Sequence, residues 1–305
     1  SWGAELATGY DDRSRLFGWR EVFVLAGMTT VLAIPAGVEL LADGDHVLKV
    51  ASMGWFCLLL FPLTALPTLA FVPDSRSSTS MTINWVEAMR VIATNRTLWR
   101  LLLADLASGF GMSVSGALYI FTATYVLGLP EQASLALLFF FLASFLAMPL
   151  WLKVAYRLGK DATLRAALML GVIVVMVFLF IAEPGNVPLL WTFTILFGAS
   201  YGAPPMLLRS MMADLTDEDR LLTGQQRSGL FFALLTTTGK LGSAVAVGIS
   251  FTILELAFGF VPGPDNDADA INGLLLTYCL GTVAGLFIAY LGMLRYPLYR
   301  QAHVC

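Results

Sequence analysis

Eight stretches of this chain are apolar for long enough to cross a lipid bilayer as helices, and that fact limits the fold more than any other. They run roughly over 20–42, 50–72, 97–125, 132–152, 163–182, 188–213, 228–256 and 271–294. A hydrocarbon core of about 30 Å takes about 20 helical residues to span. Strands are excluded, because the runs are too long and a lipid-exposed backbone must satisfy its own hydrogen bonds. With 58% hydrophobic and 13% charged residues in 305, the chain falls well below the charged quarter of a soluble domain. The expectation is an all-α polytopic membrane protein. Prolines 35, 62, 67, 149, 204 and 205 fall inside the spans, where neighbouring helices can compensate for lost backbone bonds, and they suggest kinks or gating points.

The connectors alternate in charge. Segments 1–19, 73–96, 153–162, 214–227 and 295–305 are polar and basic, while 43–49, 126–131, 183–187 and 257–270 are short or acidic. Of the 18 Lys and Arg residues, with those at helix ends assigned to the nearer face, sixteen fall on the side of the first set, only Lys49 on the other, and Lys240 lies inside the membrane. By the positive-inside rule the first set is cytoplasmic and so is the C-terminus.

Lys240 is the most informative residue. Twelve uncharged residues, from Ser228, precede it and fourteen follow before Glu255, so its ammonium is predicted near the bilayer centre. There it opposes insertion by roughly 2.5–3.5 kcal/mol and must face protein or water, with a partner. Thr236, Thr237 and Ser243 stand four and three residues before it and three after, which draws a polar stripe on its helix face. Such a residue marks a substrate or ion pathway, or else a carboxylate bridge between helices. Asp105, in LLLADLASGFG, is the matching acidic candidate, able to partner Lys240, carry a proton, or hold the cytoplasmic gate.

Other candidates are weaker. Arg209 and Asp214, five apart at the inner end of the 188–213 run, suit a gate salt bridge, or in the case of Arg209 a carboxylate substrate, since a guanidinium fork matches a carboxylate. Arg20 and Glu21 stand where the first run enters the membrane. Tyr119, Thr122 and Tyr125 could offer rings and hydroxyls to a sugar, although Tyr125 also suits an interfacial belt. The clusters Gly109/Gly111/Gly116 and Gly239/Gly242/Gly248 point to close helix packing. The three cysteines form no CxxC, and His46 and His303 lie outside the spans, so no metal site, cofactor or enzymatic constellation is indicated. Nothing is basic enough for nucleic acid.

The stretches MMADLTDEDRLLTGQQRSGLFFALLTTTGKLGSA, GAELATGYDDRSR…WREVF and TNRTLWRLLLADLASGF resemble the glycoside–pentoside–hexuronide:cation symporters of the major facilitator superfamily. A weak echo between the loops at Glu5 and Asp214 fits the two-half repeat of such folds. The resemblance implies two six-helix bundles rocking about a central site, of which this chain holds the last eight helices. Residues 1–19 would be the loop between helices 4 and 5, 20–72 the last two helices of the N-terminal bundle, 73–96 the cytoplasmic middle loop, and 97–305 the C-terminal bundle with its tail. The sequence begins without Met and reads as lacking its N-terminus.

By the same resemblance, Lys240, in the context K-x-G-S-A, matches a lysine linking sugar and cation sites; Thr236 matches a threonine of that helix, and Arg20 an arginine of the sugar site. The coupling ion, Na⁺ or H⁺, would bind mostly on helices upstream of Ser1. Arg209, at or near the place where many relatives carry a tryptophan, and Leu235, where a member of the family has a glutamine, depart from the pattern. The expected protein is a monomeric, multi-pass transporter of the plasma (inner) membrane importing a sugar or glycoside by alternating access. The alternatives are another small, anionic or lipid-like solute, or a non-transporting receptor or assembly protein on the same fold.

Overall fold

A computed structural model describes residues 10–41, 46–71, 93–225, 227–263, 266–294 and 296. The described residues form helices α1 (Tyr10–Leu41), α2 (His46–Phe71), α3 (Arg96–Phe121), α4 (Pro130–Leu158), α5 (Lys160–Ile181), α6 (Val187–Tyr201), α7 (Ala203–Thr223), α8 (Ser228–Phe258) and α9 (Ala268–Met293). No strand is present among them. Six helical segments are long and apolar enough to cross a membrane on those grounds alone: Ala51–Phe71, Arg96–Val126, Pro130–Leu158, Lys160–Ile181, Ser228–Phe258 and Ala268–Met293. The two remaining expected spans are helical but differ in form. α1 opens with six charged residues between Tyr10 and Glu21. The 188–213 run divides at Gly202 into α6 and α7, because Pro204 and Pro205 supply no N–H to the preceding turn.

Several predicted boundaries move, among them that of α2, which begins at His46 inside the expected connector 43–49. The polar 1–19 segment is helical from Tyr10. α4 continues to Leu158, past the expected end at 152. The supposed loop 214–227 is helical as far as Thr223, since Leu215, Glu218, Arg220, Leu221 and Leu222 favour helix and Gly224 (φ 69°) supplies the left-handed terminus. The connector 72–92, the first nine residues, with the start of the first copy of the suggested repeat, and the C-terminal tail beyond 296 fall outside the described residues.

Helix starts follow local chemistry. Asn95, Asn186 and Asp267 accept the backbone N–H groups of Leu98, Leu189 and Ala270 at 3.0, 3.0 and 2.8 Å, capping α3, α6 and α9. α3 ends in a π-helical turn, Thr122–Val126, over which Phe260 packs edge-on against Phe121 and Tyr125.

α3 is the central element, held between α8 and α9. Against α9 a methyl group added to Gly285 would collide with the backbone of Gly111, and one on Gly111 would lie 2.7 Å from the Thr282 carbonyl oxygen. Against α8, Gly242 presses on the Leu106 carbonyl, and a methyl group on Gly109 would lie 2.9 Å from that of Gly239. Small residues let helices approach where lipid supplies no hydrophobic drive for association. The pairs Asp105–Thr238 and Ser113–Ser243 make α3 and α8 parallel, whereas Gly111–Gly285 and Ser115–Tyr278 make α3 and α9 antiparallel. Those directions agree with the alternation of spans read from the sequence.

α4 and α6 pair through Trp191 Nε1, which donates to Gln132 Oε1 at 3.2 Å, and through Gly198 against Phe140. α1 docks on this pair: its Gly18 faces Leu152, and buried Leu25 reaches Gly202.

Gly285→Leu should therefore destabilise the fold by about 1–3 kcal/mol through overpacking, seen as a lower thermal midpoint in detergent, while Gly116→Ala, which meets nothing within 4 Å, should leave the midpoint level or raised. Equal effects would contradict the packing described.

Candidate functional site

Helix α8 presents two chemically distinct faces. One, carrying Gly239, Gly242 and buried Ala246, packs on α3. The other lines a cleft of about 490 Å³ with Gly229, Phe232, Ala233, Thr236, Thr237 and Lys240. Lys240 is exposed to this cleft and makes no ion pair among the described residues. The polar stripe predicted around it is partly present. Thr236 and Thr237 flank Lys240, with the Thr236 hydroxyl also donating to the Phe232 carbonyl at 2.8 Å. Ser243 turns away, accepting from Ser113 Oγ of α3 at 2.8 Å and donating to the Gly239 carbonyl at 3.0 Å.

Asp105 does not reach Lys240. Its Oδ2 accepts from the Thr238 hydroxyl at 3.1 Å, and a methyl group on Gly239 would lie 2.8 Å from the same oxygen. The carboxyl group thus sits at the crossing of α3 and α8, on the opposite side of Gly239 from the cleft-facing ammonium. Arg209 of α7 acts on it electrostatically, while also donating to the Pro205 carbonyl at 3.2 Å.

The end of the bundle that holds the α4–α5 turn and the C-terminus of α7 gathers buried charges. Asp214 pairs with Lys160 at 2.6 Å. Lys160 is only 3% exposed, and it is brought there by Gly159, whose φ of 94° turns the chain from α4 into α5. Asp161 pairs with Arg165 at 3.0 Å, and Arg227 lies 3.6 Å from Asp219 with both side chains buried. Sequence reading missed Lys160 and Asp219, because a lysine at a helix start and an acid within an apparent loop carry no sign of burial.

Tyr119 and Thr122 lie away from the cleft. Tyr119, 3% exposed, shares a hydrogen bond with Thr194 at 2.5 Å, and Thr122 donates to the Leu118 carbonyl at 2.9 Å. Both belong to the buried seam between helices. Tyr125 is part of the aromatic cluster with Phe121 and Phe260. Arg20 is exposed on α1 and is not among the residues lining the cleft, and the side chain of Glu21 is outside the described residues. Among the described residues no group of three His, Cys, Asp or Glu could hold a metal ion.

Helices long and apolar enough to span a membrane, closing on glycine contacts, with a lysine and two threonines on a largely apolar cleft, mark the chain as a multi-pass membrane protein. The chain belongs to the family described as MFS/sugar transport protein, whose model matches residues 1–300. It is 28% identical over 240 residues to an uncharacterized symporter of Synechocystis, covering 72% of this chain and 41% of that protein. An uncharacterized symporter of Bacillus subtilis, YnaJ, is 24% identical over 62% of this chain and 40% of its own length. The raffinose carrier protein of Pediococcus pentosaceus is 23% identical over 73% and 36%. The match therefore spans well under half the length of these relatives. The family agrees with the resemblance drawn from the motifs, and it is one of transporters rather than enzymes.

Asp214→Ala should cost about 3–5 kcal/mol by stripping the buried Lys160 ammonium of this carboxylate, whereas Lys160→Met combined with Asp214→Leu should cost less than the sum of the single changes. A double-mutant cycle on thermal or denaturant unfolding reads the coupling; strict additivity would contradict it.

Proposed function

We propose that the protein is a cation-coupled sugar symporter working by alternating access, with Lys240 linking substrate and ion. The observation that carries this reading is an ammonium on α8, ten or more residues from either end of a spanning helix, facing a cleft lined by Thr236 and Thr237. Polar groups at that depth are costly and are retained where substrate or ion passes. Hydroxyls beside an ammonium can donate to and accept from sugar hydroxyls, and Phe232 offers the cleft an apolar ring. The raffinose carrier among the relatives supports an oligosaccharide as the first substrate to try.

Several finer features belong to the same reading. The protein resides in the plasma membrane with its C-terminus in the cytoplasm, as the charge asymmetry of the connectors directs. The Lys160–Asp214 pair and its neighbours stiffen the cytoplasmic end against which the gate closes, and the break at Gly202 lets α6 and α7 tilt separately. Arg20 on α1 is a sugar contact brought in from the other bundle. Na⁺ and H⁺ are the candidate coupling ions, and the working unit is a monomer.

One observation favours a second reading of the substrate. Lys240 has no carboxylate partner among the described residues, so a substrate bearing its own carboxylate, a hexuronide, would complete the pair within the cleft.

Right-side-out vesicles holding the full-length protein should accumulate labelled raffinose under an imposed Na⁺ or H⁺ gradient, and Lys240→Ala should reduce accumulation by at least about tenfold, the loss of roughly 1.4 kcal/mol or more of coupling. Accumulation that survives the substitution would reduce Lys240 to a structural residue. Competition by glucuronides but not by neutral galactosides would select the hexuronide reading.

A further inference from the structure

We propose that Asp105 is the proton-binding site of the transport cycle, a carboxyl group on α3 that exchanges a proton through its contact with Thr238 of α8. This deepens the symport reading and rests on it, by choosing the ion and placing it away from the Lys240 cleft.

Depth is the first argument. Asp105 stands nine residues beyond Arg96 and Thr238 ten beyond Ser228, which at about 1.5 Å per residue puts both about 14–15 Å into their helices, inside the apolar span though short of its middle. An acid there is expensive in its charged form unless it is compensated.

Hydrogen bonding is the second. The Thr238 hydroxyl lies 3.1 Å from Asp105 Oδ2 and also 3.1 and 2.9 Å from the carbonyl oxygens of Leu234 and Leu235. A hydroxyl is one donor and two acceptors. When Asp105 is ionised, Thr238 donates to it; when Asp105 is protonated, the carboxyl donates to Thr238, whose own proton turns to the Leu235 carbonyl. Both protonation states are hydrogen-bonded with no movement of a side chain. A purely structural acid has no need of a relay that satisfies both.

The charges around the group are the third. From α7, Arg209 acts on the carboxylate. From α8, Lys240 is turned to the cleft. At this depth α9 offers Tyr290, and α3 itself offers Arg100, neither of which bonds to the acid. No close ion pair therefore locks Asp105 in the charged state. A proton also fits the oxygens better than a metal cation does: the three side-chain oxygens of Asp105 and Thr238 meet there, and a hard cation takes about six.

The step balances simply. A proton from water on one side of the membrane adds to Asp105 Oδ, neutralising it; after reorientation the O–H bond breaks and the proton leaves to water on the other side. Gly239, pressed between the carboxyl group and the helix backbone, joins this site to Lys240, the next residue, so that the charge state of Asp105 bears directly on how α8 rests on α3.

The test uses full-length protein in proteoliposomes, followed by infrared difference spectroscopy over a pH series. The carboxylic-acid C=O band should grow as pH falls, lose one component in Asp105→Asn, and have that component displaced along the pH axis in Thr238→Val. Addition of raffinose should alkalinise the outer medium for the parent and for the Gly116→Ala control, and this signal should vanish in Asp105→Asn. An unchanged titrating band in Asp105→Asn, or proton entry with raffinose surviving in it, would overturn the assignment. If Asp105→Asn fails to fold, an undisplaced band in Thr238→Val overturns it equally. If raffinose moves no protons even in the parent, the sugar reading fails, while the infrared titration still decides whether Asp105 takes up a proton.

Discussion

The approach of α3 to α8 and α9 at glycine is the contact on which the rest of the bundle depends. Within a membrane, apolar side chains gain little by leaving lipid for protein, so helices hold together through close van der Waals contact and hydrogen bonds between them. Gly109, Gly239 and Gly242 on one side and Gly111 and Gly285 on the other bring three backbones to the separation at which such contacts are strong. Hydroxyls finish what the glycines begin. Ser113 meets Ser243, Ser115 meets Tyr278, and Tyr119 meets Thr194, so that α8, α9 and α6 are each registered against α3 by a polar pair.

That packing also sorts the functional groups. Because Gly239 lies against Asp105, Lys240 is rotated about 100° away around the helix and into the cleft with Thr236 and Thr237. An acid and an ammonium that would otherwise neutralise each other are held apart by the helix wall. The separation leaves the ammonium open to a solute and the acid open to a proton. Any tilt of α8 on α3 must disturb both at once, which is a physical basis for coupling two ligands that never touch.

Much of this was legible in the sequence, and for identifiable reasons. The spans stood out because lipid demands long apolar runs, and Lys240 stood out because so few charges interrupt them. Their directions could be read as well, since the parallel pairing of α3 with α8 agrees with the alternation of basic and acidic connectors. Other features carried no local signal. The C-terminal part of α7 resembled a loop because its acids are polar, yet Asp214 and Asp219 are helical and pair with Lys160 and Arg227. Tyr119 and Thr122 have the chemistry of a sugar pocket but the rotation of a core seam, and only the phase of α3 against α4, α6 and α9 decides which. Asp105 and Lys240 invited pairing by charge alone; the geometry of Gly239 separates them.

The account stands on α8 having one wall face and one cleft face. Single cysteines placed along 229–246 of the full-length protein, probed with a membrane-impermeant maleimide in open vesicles, test this directly. Positions 229, 233, 236, 237 and 240 should react readily, and positions 235, 239, 242 and 246 should remain protected, a pattern with helical period. Uniform reactivity, or protection at 236, 237 and 240 with reaction at 239 and 242, would contradict it.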